Sequence, residues 1–84
     1  MAGAPTYQRL TSILREVFDN DSIVATANLT ARQVPGWDSM GNVRFFLEVE
    51  LAFGLRFSAL EISSLKNVGQ LADLIEKRTL GSAS

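Results

Sequence analysis

Tyr7, Leu10, Ile13, Leu14, Val17 and Phe18 recur three and four residues apart, with Arg9, Arg15 and Glu16 on the opposite side. That spacing predicts an amphipathic helix over residues 6–18. Asp19, Asn20, Asp21 and Ser22 end it, because short polar side chains compete for the backbone hydrogen bonds. Over residues 19–37 the apolar positions Ile23, Val24, Leu29 and Val34 follow neither a helical nor a strand period. A long loop is expected there, anchored by those four residues, with one helical turn at the capping-box sequence Thr30 to Gln33. Pro35 pushes Val34 out of the helical region, and Gly36 permits a tight bend.

Asp38 or Ser39 caps a second helix that reaches Phe53. This helix carries two apolar stripes: Met40, Val43, Leu47 and Leu51 form one, and Phe45, Phe46, Val49 and Phe53 spread over the neighbouring face. A peripheral helix needs less apolar surface than this, so the segment is either central or presents a face to a partner. Gly54 fits the position after a helix, where a left-handed residue is common. Leu55 and Phe57 flank Arg56 in a short extended link. The capping box Ser58 to Glu61 opens a short helix to Ser63 or Ser64, and Asn67 to Gln70 opens a last helix in the same manner. Val68, Leu71, Leu74 and Ile75 are its buried stripe, and Gly81 is its expected end. The fold class is all-α, a small four-helix bundle of three main helices and a short third one, with a long first loop. A single domain spans residues 1–84, folded from about residue 6 to about residue 80 with flexible ends.

Composition narrows the chemistry. The chain has 84 residues, of which 46% are hydrophobic and 20% charged, so it builds one small soluble-type domain. It contains no cysteine and no histidine. Disulfides, thiolate metal sites, a cysteine nucleophile and the usual triad base are therefore all excluded. Eight basic against nine acidic residues give a net charge of -1, with a pI near 5.2. That balance offers nothing to nucleic acid or an anionic membrane, and no helix has the basic face of a DNA reader. No apolar run approaches a membrane span, and the first residues lack the pattern of a secretory signal. The cytoplasm is the expected compartment, and Met1 with the short tail points to a free-standing protein.

Residues 35–40 concentrate the unusual positions: Pro35, Gly36, Trp37, Asp38, Ser39 and Met40. A serine in the first turn of a helix lies where backbone N–H groups are unpaired and the helix dipole favours negative charge. A phosphate ester there is stabilised by that field. On local physics alone, Asp38 and Ser39 read as ordinary N-cap residues. A hydrolase built on Ser39 has no histidine and no Gly-x-Ser-x-Gly turn to support it.

The wider pattern points further. Trp37, Asp38, Ser39 and Met40, followed by Phe53 and Gly54, then residues 55–58, the short third helix and the opening at Asn67, resemble the acyl carrier and peptidyl carrier family. The resemblance covers Tyr7 to Arg78. It implies that Ser39 is the attachment point for a 4′-phosphopantetheine arm, transferred from coenzyme A by a separate phosphopantetheinyl transferase. The arm's thiol then holds acyl intermediates as thioesters, which supplies the sulfur the polypeptide lacks. It implies a non-catalytic protein whose partners are the transferase and the enzymes that load and process the acyl group. By the same resemblance, Asp38 is expected to belong to the transferase recognition motif, and Met40, Val43, Arg44 and Glu48 to partner recognition. Asp38 as a plain cap, Met40 as core and Arg44 as a solvated residue are the structural alternatives. A monomer is expected.

Fatty-acid carriers of this family are strongly acidic along the second helix. Here Gly41, Arg44, Leu51 and Ala52 stand where acidic residues are common, leaving Glu48 and Glu50. Arg44 opposes docking on basic patches, so a specialised or secondary-metabolite pathway is expected rather than housekeeping fatty-acid synthesis. The Val34 to Trp37 approach points the same way. Two other readings stand beside an acyl carrier: a peptidyl (aminoacyl) carrier, and an unmodified helical interaction module. Phe45, Phe46, Phe53 and Phe57 are expected to fill the core, leaving the cargo short, polar or outside. Trp37 either packs beneath the loop or braces the arm.

Overall fold

The computed structural model describes residues 3–83, and all regular structure among them is helical. Helix α1 spans Ala4–Val17, α2 Ser39–Phe53, α3 Ala59–Ser64 and α4 Val68–Ala83, with a single 3-10 turn at Ala31–Gln33 inside the long first loop. Helix α1 packs on both α2 and α4.

Helix α1 begins two residues before the expected start. Pro5 sits in its first turn, where the missing N–H costs nothing. The Gly3 N–H and the Thr6 hydroxyl both donate to Glu76 Oε2, at 2.6 and 2.7 Å, tying this end to α4. At the other end Asp19 takes a left-handed conformation (φ 48°), which its short polar side chain tolerates. The backbone then turns away, with Asn20 N–H donating to Arg15 O at 3.1 Å.

The first loop is pinned at several points. Ile23, Ala25 and Val34 are buried and Leu29 is partly buried, whereas Val24, expected as an anchor, is 54% exposed. Ala25 takes its place because the loop offers alternate side chains to the core here. Arg15 Nε donates to Ile23 O at 2.8 Å, and Ala25 N–H donates to Thr11 Oγ1 at 2.9 Å. Farther on, Val68 N–H donates to Leu29 O at 2.9 Å and Gly69 N–H to Ala27 O at 3.0 Å. Loop carbonyls thus satisfy N–H groups that the start of α4 leaves unpaired. A side chain at Gly69 would meet the Ala27 carbonyl at 2.8 Å, so the loop lies directly on this helix start.

The caps follow the sequence closely. Ser58 Oγ accepts from Glu61 N–H at 3.1 Å while Glu61 Oε1 accepts from Ser58 N–H at 2.9 Å, a complete capping box. At α4, Asn67 Oδ1 accepts from Gln70 N–H at 2.8 Å, but the Gln70 side chain reaches the N–H of Lys66 instead of Asn67. Gly54 is left-handed (φ 67°) and closes α2 as expected. Helix α4 continues through Gly81 to Ala83. Glycine costs about 1 kcal/mol in a helix relative to alanine, which disfavours helix without forbidding it. Of the flexible ends expected beyond residues 6–80, residues 4, 5 and 81–83 belong to helices α1 and α4, and residues 1, 2 and 84 lie outside the described residues.

The core is Leu10, Ile13 and Leu14 from α1, Phe45, Phe46 and Val49 from α2, and Val68, Leu71, Ala72 and Ile75 from α4, closed by Phe57 and the loop anchors. Arg78 fastens the lower edge. Its guanidinium pairs with Glu61 of α3, donates to Arg56 O and lies 5.7 Å from the centre of the Phe57 ring.

Candidate functional site

The backbone before α2 makes a tight turn. Gly36 is left-handed (φ 88°), its carbonyl accepts from Asp38 N–H at 2.9 Å, and the chain enters the helix at Ser39. Asp38, and not Ser39, is the N-cap: its Oδ1 accepts from Gly41 N–H at 2.9 Å and its own carbonyl accepts from Asn42 N–H at 2.8 Å. Ser39 is therefore released from capping. It is exposed in the first helical position, and among the described residues its hydroxyl is engaged in no hydrogen bond.

Behind this turn lies a packed base. Trp37 stacks on Phe18 with ring centres 5.3 Å apart and meets Phe45 edge-on at 4.9 Å. Its Nε1–H donates to Asn42 Oδ1 at 2.9 Å, one turn along α2 from Ser39. Of the two roles open to Trp37, it packs beneath the loop. A Cβ on Gly41 would come within 2.7 Å of both the Gly36 carbonyl and the Phe18 ring. Glycine is required there by this close approach. Gly41 is buried, so it is not a surface place from which an acidic residue is missing, as the sequence suggested; an acidic side chain cannot fit. Periodicity alone gave no warning of this.

The two stripes of α2 separate cleanly. Phe45, Phe46 and Val49 are buried and Phe53 is partly buried, its ring covered by Arg9 at 5.4 Å. Met40 is 76% exposed and Leu51 70%, with Val43 and Leu47 also open to solvent. Met40 is therefore not a core residue. Arg44 and Glu48 are exposed between these apolar positions, and among the described residues neither is in an ion pair. Glu50, by contrast, is partly buried and accepts from Phe57 N–H at 2.8 Å, fixing the link to α3. Ser39, Met40, Val43, Arg44 and Glu48 thus share one outward face. Leu47 and Leu51 extend it, and Leu60 of α3, 79% exposed, is a further open apolar residue that the sequence reading did not single out.

No family model and no curated protein matches this chain. Among solved structures, its fold is similar to the solution NMR structure of a holo acyl carrier protein from Geobacter metallireducens, with a TM-score of 0.87 and 39% sequence identity over 94% of this chain and 91% of that one. Identity and coverage of that size, with the helix order and the Asp38 to Ser39 turn in place, carry more than a shared bundle shape. The chain belongs to the acyl carrier protein family.

Proposed function

We propose that this protein is a non-catalytic acyl carrier whose Ser39 bears a 4′-phosphopantetheine arm, with residues 1–84 acting as a single carrier domain. The observation that carries the reading is the exposed, uncommitted Ser39 hydroxyl in the first position of α2, made free by Asp38 taking the cap. The residues present fit the group. A phosphodiester at that hydroxyl lies at the positive end of the helix dipole, and Trp37, Phe18 and Phe45 brace the turn from behind. In the attachment reaction an O–P bond forms at Ser39 Oγ as a pyrophosphate O–P bond of coenzyme A breaks. The adenosine bisphosphate half leaves, and the serine proton passes to a base of the transferase. Once attached, the arm supplies the thiol on which acyl groups are carried.

The protein's own contribution is to present Ser39 and to be recognised. Met40, Val43, Leu47 and Leu51 give a partner an apolar strip, while Arg44 and Glu48 set its polarity. A partner suited to this face has an apolar centre and an acidic group opposite Arg44, in place of the basic patch that an all-acidic helix would attract. This mixed polarity supports a specialised pathway over housekeeping fatty-acid synthesis. Among the described residues no helix is long and apolar enough to cross a membrane, and a cytoplasmic monomer meeting its transferase and acyl-processing enzymes in turn is the simplest arrangement. Such contacts are small and reversible, since one strip serves several enzymes.

Intact mass after incubation with coenzyme A and a promiscuous phosphopantetheinyl transferase tests the reading, with Ser39→Ala alongside. Addition of one phosphopantetheine to the wild type and none to the variant is expected. A folded wild-type sample that stays unmodified with several transferases would leave an unmodified interaction module as the better account.

A further inference from the structure

The outer face of α2 is complementary to itself when turned end for end. Along the helix it presents Met40, Val43, Arg44, Leu47, Glu48 and Leu51. Reversed about its middle, the face sets Arg44 where Glu48 stood and Val43 close to where Leu51 stood, with Leu47 near the centre. Arg44 and Glu48 are exposed, and among the described residues neither is in an ion pair. A basic residue four positions before an acidic one is the weaker order for pairing on the same helix, so both charges remain available to an outside group. Glu16 of α1 is also exposed and borders a hollow of about 190 Å³ with Val17, Arg44, Leu47 and Glu48. Two carboxylates against one guanidinium make that hollow acidic, suited to an arginine arriving from outside.

We infer that the outer face of α2 pairs with the same face of a second copy of this chain, the two helices running antiparallel about a two-fold axis near Leu47. In such an isologous contact each interaction occurs twice. Arg44 meets Glu48 and Glu16 of the second copy, Leu47 packs near its counterpart, and Val43 lies close to Leu51. The charges select this direction, because parallel helices set Arg44 against Arg44 and Glu48 against Glu48, which is repulsive. The contact is small. Helix α2 has 15 residues and is therefore about 22 Å long. One face of it falls well short of the roughly 800 Å² per partner found in stable complexes. The pair is accordingly weak, with a Kd on the order of 0.1–1 mM. Pairing covers Met40, Val43 and Leu47, so it competes with any enzyme that docks there. The monomer is the form that meets each enzyme, and the pair is the form the concentrated free chain takes.

Sedimentation equilibrium of the full unmodified chain from about 10 μM to about 1 mM tests this, and needs no arm on Ser39. The wild type should shift reversibly from monomer towards dimer, with amide shifts on dilution centred on Val43, Leu47 and Leu51. Arg44→Glu and Glu48→Arg should each raise Kd by about tenfold, since each replaces two attractions with two repulsions. The double exchange keeps the net charge and should restore Kd to within about threefold of wild type. Leu47→Glu should abolish pairing. A wild type that stays monomeric to about 1 mM would overturn the inference and leave the strip to partner enzymes alone. Association that Leu47→Glu leaves intact, or that the double exchange fails to restore, would also overturn this pairing. Circular dichroism verifies the fold of each variant, and the wild-type dilution series decides the matter should one fold poorly. None of these outcomes bears on Ser39, whose modification is read separately by intact mass.

Discussion

The inner and outer stripes of α2 are made of similar residues and have opposite fates. Phe45, Phe46 and Val49 are at most 6% exposed, whereas Met40, Val43, Leu47 and Leu51 are at least 51% exposed. Both stripes lie on one helix between the same two caps. Hydrophobicity therefore says that a face wants a partner, and the fold decides whether that partner lies within the chain or outside it. The inner stripe is chosen because its aromatic rings continue the series that begins at Phe18 and Trp37 and ends at Phe57.

Truncating the two stripes gives the sharpest contrast. Phe45→Ala should cost about 3–5 kcal/mol by urea unfolding, as for other fully buried phenylalanines. That is a large part of the total for a domain of this size, since native stabilities are typically about 5–15 kcal/mol. Leu51→Ala should stay within about 0.5 kcal/mol of wild type. Similar losses from the two would erase the distinction between the faces.

Gly41→Ala probes the junction between them. Its Cβ runs into the Gly36 backbone carbonyl, which cannot swing aside like a side chain, so the start of α2 must shift. A loss of about 1–3 kcal/mol is expected, typical of overpacking. Because Ser39 lies on the displaced turn, a slower transferase reaction should accompany it. Full stability with unaltered modification kinetics would mean that the turn gives more easily than the packing indicates.

Charge reversal on the outer stripe should leave the fold alone and change the company it keeps. Arg44→Glu and Glu48→Lys, both at exposed sites without ion-pair partners among the described residues, should each lie within about 0.5 kcal/mol of wild type. Their KM for the cognate loading enzyme should move in opposite directions. Unchanged kinetics for both would remove charge from the recognition of this face.

The smallest effect concerns a surface group far from either stripe. Hydrogen bonds from the Gly3 backbone N–H and then the Thr6 hydroxyl hold the Glu76 carboxyl below its ordinary value of 4.5. The folded state thus favours the charged form. The resulting stabilisation is complete above about 4.5 and is lost as the pH falls through the lowered pKa. Glu76→Gln should therefore lower Tm slightly near neutrality, with the difference from wild type closing in acid. A difference that widens in acid would reverse the assigned sign.

Much of this fold was legible because its punctuation is local. Asp38, Ser58 with Glu61, and Asn67 each cap the helix that follows them, using side chains that reach only three residues along the chain. Gly54 closes α2 for an equally local reason. What was not legible depends on approach in space. Nothing in the periodicity tells that Gly41 faces a carbonyl five residues earlier, that loop carbonyls at Ala27 and Leu29 cap α4, or that Arg78 reaches Arg56 and Glu61. The candidate site divides in the same way. Ser39 and its neighbours could be named as candidates from their pattern; periodicity gives both stripes of α2 the same apolar signal, and the outward one followed only from the resemblance and from the expectation that the aromatic residues fill the core.

Amide-shift mapping of isotope-labelled protein, titrated with a phosphopantetheinyl transferase in the presence of coenzyme A, tests the central claim most directly. If Ser39 and the outer stripe are the working surface, shifts should concentrate at Ser39, Met40, Val43, Leu47 and Leu51, with Leu10, Leu14 and Ile75 unmoved and Ser39 modified at the end. Shifts centred on α1 or α4, with Ser39 left unmodified, would contradict it.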